Sequence, residues 1–412
     1  MSIDLASVPS SRPIPYILVC ALAMGGATAT ARAGALPQMG PQPAPSIFGI
    51  NTGTFDSSHA NFVKDVPTAK RLGARWVHFT GASIHFTRRG RPNYSTLDYE
   101  VTRARTLGLG VLVSLGGTPG ACSISPRPAN PTTCPPTTPR ALSAYQSFLR
   151  AVLVRYRNVV TYWESWMEPN HKSFWPSGPN PAQYADLLNA EYQVFQAVNH
   201  SYGTHLQLLF AGPADFSIIP GSPGGMPVLP FVNAALDHLH GARAFDGIAL
   251  HGYRFPPAST GPWVADWDSV QGIPAMPGSA GPYPRQGCNS QRWCQMTWPE
   301  ELSAYEQEFA SQGYPSMPLW LTEFGWPGNA RGTDGYHPSY AAQAADLSAA
   351  YRDILALPFV RAAFWFNLRD YQPGLRNPDP EFFAHYGLLQ YGFVPKPAGT
   401  AFEQIARSNR RR

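Results

Sequence analysis

Residues 159–170, VVTYWESWMEPN, read as a buried strand that stops abruptly. The β-branched and aromatic residues at its start favour a strand. The proline ends the hydrogen-bonded ladder directly after a carboxylate, Glu168. Residues 318–326, PLWLTEFGW, repeat the arrangement with Glu323. Two glutamates at the carboxyl ends of two hydrophobic strands predict an α/β barrel that carries a pair of carboxylates at its mouth.

The remaining chain predicts further strands that alternate with helices. Strands are predicted at 47–51, 74–80, 110–116, 159–168, 206–212, 245–253, 318–326 and 362–367. Helices are predicted at 59–72, 97–107, 139–156, 184–198, 228–239, 299–311 and 338–356, and a last one begins near Ala398. The alternation predicts a parallel sheet, and eight strands predict closure into a (β/α)8 TIM barrel, a single catalytic domain over residues 46–406.

Composition excludes several classes of protein. Of 412 residues, 44% are hydrophobic and 14% are charged, which suits a globular domain with a large core. The formal net charge of +5 comes without an interleaved basic and aromatic stripe, so nucleic acid is not an expected partner. The chain shows no short repeat of solenoid length. Residues 221–225, GSPGG, lack the strand–turn–helix context of a phosphate loop, and we predict no cofactor.

The two ends of the chain differ in composition from the predicted barrel. Arg12 precedes an apolar run at 14–23, and Ala31-Arg32-Ala33 fits a signal-peptidase site, with Ala27-Thr28-Ala29 as a competing site. The run is short for a membrane span, although an uncleaved anchor is an alternative. We predict a secreted or cell-envelope protein without stable membrane insertion. The predicted segments are a signal peptide at 1–33, a linker at 34–45 and a basic tail at 407–412.

Four cysteines remain once Cys20 leaves with the signal peptide, and they allow three pairings. Proximity favours two local disulfides, Cys122–Cys134 and Cys288–Cys294, which suit an exported protein. Free thiols are the alternative. Neither the cysteine spacing nor the spacing of His85, His171 and His385 matches a metal site, so none is predicted.

Four motifs together resemble clan A glycoside hydrolases, most closely family 39 and its endo-acting bacterial relatives. Residues 163–170, WESWMEPN, resemble the acid/base signature, and residues 321–326, LTEFGW, resemble the nucleophile strand. Matches also occur at 246–253, DGIALHGY, and at 386–389, YGLL, with 395–398, PKPA. The likeness runs from about residue 46 to 406. It implies a retaining mechanism in which Glu168 is the acid/base and Glu323 the nucleophile.

Two positions depart from the pattern of the family. Met167 stands where the clan usually has an asparagine that contacts the sugar 2-hydroxyl, and His78 stands where relatives often have arginine. A thioether cannot donate a hydrogen bond to a hydroxyl. We therefore expect a substrate preference that differs from the common glucosides and xylosides.

Other candidates for the cleft come from strand ends. Tyr253 is expected to hydrogen-bond the nucleophile, and Trp365 to stack on a sugar face, with core packing as the alternative for both. Glu164 is expected to make hydrogen bonds in the core instead. The complete set of predicted substrate-binding residues is Asn51, His78, Met167, His251, Tyr253, Trp326 and Trp365.

The resulting hypothesis is a monomeric, retaining hydrolase of O-glycosidic bonds in a polysaccharide or cell-wall glycan. Three alternatives remain open: a catalytically weak glycan-binding barrel, a transglycosylase and a metal-dependent hydrolase. Turnover, product size and sensitivity to a chelator distinguish them. The sugar, the linkage and the choice between exo and endo action do not follow from the sequence.

Overall fold

The structure is a computed structural model. It describes residues 35–52, 59–79, 85–86, 92–116, 134–214, 225–253, 297–329, 339–371 and 383–409. Eight parallel strands form a closed barrel in the order β1-β8-β7-β6-β5-β4-β3-β2. The strands are β1 (Gly49–Asn51), β2 (Trp76–Phe79), β3 (Gly110–Ser114), β4 (Tyr162–Glu164), β5 (Gln207–Phe210), β6 (Gly247–His251), β7 (Leu319–Phe324) and β8 (Val360–Trp365). The predicted (β/α)8 barrel is confirmed.

Helices follow the strands around the barrel. They are α1 (His59–Arg71), α2 (Ser95–Thr106), α3 (Pro139–Tyr156), α4 (Pro181–Tyr202), α5 (Val228–Leu239), α6 (Trp298–Ser311), α7 (Tyr340–Ala356) and α8 (Pro397–Ser408). A two-stranded hairpin pairs His85–Phe86 with Pro92–Asn93. The predicted bounds of α3 and α5 are confirmed to the residue. Proline at the first turn and the side-chain cap from Thr138 explain why α3 begins where the pattern placed it.

The interior of the barrel is filled in two layers, because alternate residues of each strand point inwards. The lower layer is apolar, and there Trp320 stacks on Phe364 and meets Trp76 edge to face. Two residues further along the strands comes a second set of side chains, which we call the polar layer. It consists of Asn51, His78, Ser114, Glu164, His251 and Thr322.

An irregularity in β7 alters the direction of its last side chains. Leu250 and His251 of β6 are consecutive, yet they pair with Leu321 and Glu323 of β7. The register of β8 shifts over the same residues of β7. One extra residue in a strand is a β-bulge, which commonly redirects a side chain next to an active site. The bulge explains how Thr322 and Glu323, which are neighbours in sequence, can both point into the barrel.

Residues 35–45 lie against the barrel instead of forming a free linker. The Trp76 indole Nε1 donates to the Ala44 carbonyl at 2.8 Å, and the Leu36 amide donates to the Arg155 carbonyl at 2.9 Å. The Asn158 side chain returns a bond to the Leu36 carbonyl at 3.1 Å. We call this segment the N-terminal strap. At the other end, α8 continues to Ser408, so residues 407 and 408 of the predicted basic tail are helical.

Several predictions fall outside the described residues. They include the predicted signal peptide, residues 410–412, and Cys122, Cys288 and Cys294. Cys134 is described and buried. The two disulfides and the signal peptide therefore stay predictions. No helix in the described ranges has the length and apolar character required to cross a membrane.

Candidate active site

The chain leaves β4 through an unusual backbone path that sets the position of Glu168. The strand ends at Glu164, four residues earlier than predicted, because the chain turns before it reaches Pro169. Trp166 and Glu168 adopt left-handed backbone angles, with φ of 54° and 39°. Such angles are uncommon outside glycine and cluster at functional sites, where surrounding contacts must maintain them.

Asn170 supplies part of that support. Its amide nitrogen donates to the carbonyls of Ala214 and Met226 at 3.1 and 3.0 Å, and its oxygen accepts from the Ala214 amide at 2.8 Å. The Glu168 carbonyl accepts a bond from the His171 amide at 2.9 Å. The loop that carries Glu168 is thereby joined to the segment that follows β5.

The side chains of Glu168 and Glu323 meet at His251. The His251 ring nitrogen Nδ1 lies 2.9 Å from Glu168 Oε1 and 3.6 Å from Glu323 Oε2. The Tyr253 hydroxyl donates to Glu323 Oε2 at 2.7 Å. Both glutamates are 6% exposed, so the carboxyls lie almost out of water but can still be reached. One oxygen from each carboxyl and the imidazole nitrogen all lie within 4.8 Å of one another.

Burial and the charge of the neighbouring group shift the pKa of Glu323 in opposite directions, and the same is true of His251. Burial raises the pKa of Glu323 to about 7, while the His251 charge and the Tyr253 hydrogen bond act to lower it. Burial alone would lower the pKa of His251, but the Glu323 carboxylate and the hydrogen bond to Glu168 raise it to about 9. At neutral pH the imidazole is therefore a cation between two carboxyl groups.

Asn51 and His78 lie below the cleft, which corrects their predicted role as lining residues. They are only 1% and 0% exposed. Asn51 Nδ2 donates to the carbonyls of Thr322 and Phe364 at 3.0 and 3.4 Å. Both point into the barrel, but they belong to the polar layer and not to the surface that a sugar would contact.

Glu164 makes the core hydrogen bonds expected of it. Its carboxyl is completely buried and accepts bonds from the Gly212 amide at 2.9 Å and the Thr322 hydroxyl at 2.8 Å. A third contact, of 2.5 Å, joins it to the Ser114 hydroxyl.

Trp326 and Trp365 are also corrected. Both are 0% exposed and pack against Phe324 in the main core, and the Trp365 indole donates to the Tyr386 carbonyl at 3.0 Å. Phe364 points into the barrel, so the next residue, Trp365, points away from it towards the helices. Neither indole can stack on a sugar in this arrangement.

An aromatic cluster that was not predicted from the sequence lies beside Glu323. Phe366 contacts Tyr253 edge to face at a centroid distance of 5.8 Å, and it also packs against Tyr371 and Tyr386. Phe366 is two residues beyond the inward-facing Phe364, and this spacing was the available signal. Met167, in contrast, remains partly exposed next to Glu168, as a residue that reads the substrate would need to be.

A divalent cation could be bound by one group of side chains in the described part of the chain. This group consists of Glu168, His251 and Glu323. Two carboxylates and an imidazole suit several transition metals. In the structure the same atoms are engaged with one another, because the His251 imidazole lies against both carboxyls. A chelator can distinguish metal binding by these side chains from direct contact between His251 and the two carboxyls.

Comparison with known proteins supports the fold. No family profile matches the chain, and no curated protein sequence matches it. A family 39 glycoside hydrolase from Bacteroides cellulosilyticus WH2 has a similar structure, with a TM-score of 0.56 and 20% identity, over 88% of this chain and 64% of that one. A glucosidase from Croceicoccus marinus gives a TM-score of 0.59 at 14% identity, over 91% and 69% of the two chains.

A monomeric β-xylosidase from Caulobacter crescentus CB15 gives a TM-score of 0.57 at 18% identity, over 88% of this chain and 69% of that one. The chain thus has the barrel fold found in family 39 glycoside hydrolases, which confirms the fold that the resemblance implied. It spans 64% of the length of the Bacteroides protein. These likenesses establish the fold, whereas the chemistry depends on the site itself.

Proposed function

We propose that this protein is a retaining glycoside hydrolase that cleaves O-glycosidic bonds of a polysaccharide or cell-wall glycan. The observation that carries the proposal is the close approach of Glu168 and Glu323, whose oxygens lie within 4.8 Å of each other at the carboxyl end of the barrel. Retaining glycosidases hold their carboxyls about 5–5.5 Å apart, whereas inverting enzymes leave about 6.5–9.5 Å for a water.

In the first step Glu168 donates its proton to the departing glycosidic oxygen, and Glu323 attacks the anomeric carbon to form a glycosyl ester. In the second step Glu168 removes a proton from water, which displaces Glu323 with a second inversion. His251 donates to Glu168 and supplies positive charge to both carboxyls. The Tyr253 hydroxyl donates a hydrogen bond to Glu323 Oε2 and so fixes the position of that oxygen.

Substrate and location extend the proposal. The partly exposed Met167 would meet the sugar near the acid/base residue with an apolar surface. We place the protein outside the cytoplasm as a monomer, in accordance with its apolar N-terminal run and its four remaining cysteines, paired as Cys122–Cys134 and Cys288–Cys294. Transfer to a second sugar in place of water is the second outcome that the same centre allows.

The test is digestion of a panel of glycans and aryl glycosides, with Glu323→Gln as the matched control. We expect reducing ends to appear, the first product to keep its anomeric configuration by NMR, and the control to lose at least about a thousandfold in kcat. Products larger than the substrate would indicate transfer. Loss of activity with a chelator would indicate the metal-dependent alternative, and binding without turnover would indicate a glycan-binding barrel.

A further inference from the structure

The two-carboxylate mechanism leaves one buried acid of the polar layer without a role. Glu164 lies four residues before Glu168, completely enclosed beneath the centre. Burying an ionised carboxylate without a full set of partners is costly, so a buried acid needs a defined charge state. The contacts of Glu164 define one.

Each oxygen of Glu164 has its own set of neighbours. Oε1 accepts from the Gly212 amide and the Thr322 hydroxyl, and the His251 ring nitrogen Nε2 lies 3.8 Å from it. Oε2 lies 2.5 Å from the Ser114 hydroxyl oxygen, which in turn lies 2.5 Å from His78 Nε2. His78, Ser114 and Glu164 thus form a short hydrogen-bonded chain, which we call the proton chain.

The number of hydrogen atoms in the proton chain can be counted. The other nitrogen of His78, Nδ1, faces the Thr322 carbonyl at 3.1 Å, so Nδ1 carries a proton. Two bonds join His78 Nε2, the Ser114 hydroxyl and Glu164 Oε2, but the hydroxyl supplies a single proton. The second proton must sit either on His78 Nε2, which makes His78 a cation, or on Glu164, which makes Glu164 a neutral acid.

The surroundings place that proton on Glu164. Burial lowers the pKa of His78 to about 3, and the His251 charge acts in the same direction. Burial raises the pKa of Glu164, against the opposing effects of His251 and its hydrogen-bond donors. The titratable groups that interact with this carboxyl are His78 on β2, His251 on β6, Glu323 on β7 and Tyr184 on α4. In this state Glu164 donates to Ser114, and Ser114 donates to neutral His78.

Glu164 also fixes the position of Gly212, the residue on which the His251 imidazole packs. The Gly212 amide that it binds belongs to a residue packed so closely on the imidazole that an added Cβ would lie 2.5 Å from His251 Cδ2 and 2.9 Å from Glu164 Oε1. The orientation of His251, with Nδ1 directed at the catalytic pair, therefore depends on the same carboxyl.

We propose that Glu164 is a positioning residue that acts as a neutral carboxylic acid: through the proton chain and Gly212 it fixes His251 against Glu168 and Glu323 without adding a third negative charge. This inference rests on the proposed function for its effect on catalysis, while the location of the proton is independent of it.

The kinetic test compares two variants by the pH dependence of kcat/KM. Glu164→Leu removes the bonds to Gly212, Thr322 and Ser114, so His251 is released and its charge no longer lowers the pKa of Glu323. The acid limb, which is the rise of kcat/KM with pH as Glu323 ionises, should therefore move upwards by about half a pH unit or more. Glu164→Gln retains a carbonyl for Gly212 and Thr322 and an N–H for Ser114. The acid limb of this variant should therefore coincide with that of the wild type. Glu191→Gln changes a nearby buried acid that bonds to Tyr145 and to none of His78, Ser114, Gly212 and His251, so this control should leave the limb in place.

The outcomes that overturn the proposal are distinct. A limb that moves downwards in Glu164→Gln would mean that the natural residue is an anion whose charge had raised the pKa of Glu323. A limb that is unmoved in a folded Glu164→Leu would make Glu164 merely structural.

A spectroscopic test on the folded protein needs no turnover. The infrared difference between wild type and Glu164→Gln at about pH 8, well above the usual pKa of a glutamate, should contain the carbonyl band of a neutral carboxylic acid. Nitrogen NMR should show His78 neutral with its proton on Nδ1. Carboxylate bands in the difference spectrum, or an imidazolium at His78, would refute the assignment. If the glycan panel shows no turnover but both spectra agree, then the proposed function fails and the proton assignment stands.

Discussion

The charge of one side chain, Glu323, depends on two neighbours that work against its burial. His251 presents a cation 3.6 Å away, and Tyr253 donates a hydrogen bond of 2.7 Å. A nucleophile must be ionised, and the pKa of Glu323 is about 7. The value of kcat/KM should therefore rise as the pH increases through about 7.

Tyr253→Phe should move this acid limb to higher pH. The hydroxyl stabilises the ionised form of Glu323, so its removal raises the pKa, by about one unit for a lost hydrogen bond of this kind. The measurement is the pH profile of kcat/KM. Tyr145→Phe is the matched control, because Tyr145 is a buried tyrosine bonded to a different buried acid, Glu191, at 2.7 Å. Equal profiles for Tyr253→Phe and wild type would remove Tyr253 from the centre.

Met167→Asn should change which sugars the enzyme prefers. Asparagine can donate to a sugar hydroxyl and methionine cannot, and an unpaired buried hydroxyl costs about 1–3 kcal/mol. We expect glucosides and xylosides to gain roughly tenfold or more in kcat/KM relative to the substrates that the wild type prefers. An unchanged ranking across the panel would show that position 167 does not contact the discriminating hydroxyl.

Among the structural elements, β7 shows why strand patterns predicted some site residues and misplaced others. Strict alternation with an inward Thr322 would direct Glu323 outwards, and only the bulge brings it into the mouth. Glu323 was identified by its position at a strand end and by family resemblance, not by alternation. A bulge depends on pairing with both neighbouring strands and has no reliable local signature. Trp365 was selected for a different reason, its position at the end of the strand, although alternation from the inward-facing Phe364 indicates Phe366, the residue beside Tyr253.

At the end of β5, Gly212→Ala should impair catalysis more than stability. The new methyl group would overlap His251 and Glu164, and displacement of a positioning group by about 1 Å can cost up to a hundredfold in rate. We expect kcat to fall at least about tenfold while the melting temperature changes little. Gly392→Ala is the control, since nothing lies within 4 Å of a Cβ at that position. A normal rate in a folded Gly212→Ala variant would contradict the tight packing of His251.

For the whole molecule, the sequence was sufficient to predict the barrel and to select Glu168 and Glu323, whose carboxyls the structure brings together. Each strand and helix carries its own hydrophobic periodicity, so the succession of elements could be read locally. The polar layer could not be read locally, because His78, Ser114 and Glu164 come from separate strands and meet only after the barrel has closed. Their selection requires knowledge of the register between strands.

Glu191 makes global stability depend on pH. Burial raises its pKa from 4.5 to about 7 in the folded protein. The folded state therefore keeps a proton that the unfolded state has lost, and stability should fall as pH rises from about 4.5 to 7, by about 3 kcal/mol in total.

Glu191→Gln cannot ionise, so the free energy of unfolding of this variant relative to wild type should increase by about that amount between pH 4.5 and 8. Denaturant titration at both pH values measures it. A difference that is the same at both pH values would show that Glu191 has an ordinary pKa in the folded state.

The N-terminal strap has a consequence for how the chain matures. Its Leu36 carbonyl is bound by Asn158, which lies 122 residues further along. Synthesis proceeds from the amino end, at about 5–20 residues per second, so the Ala44 end of the strap can bind Trp76 early. Leu36, in contrast, has no partner until Arg155 and Asn158 have been made, after roughly two-fifths of the protein. During that interval Leu36 is not yet bound to the barrel. If the predicted signal peptide is confirmed, this order of assembly would leave it accessible to export and processing machinery before folding secures Leu36.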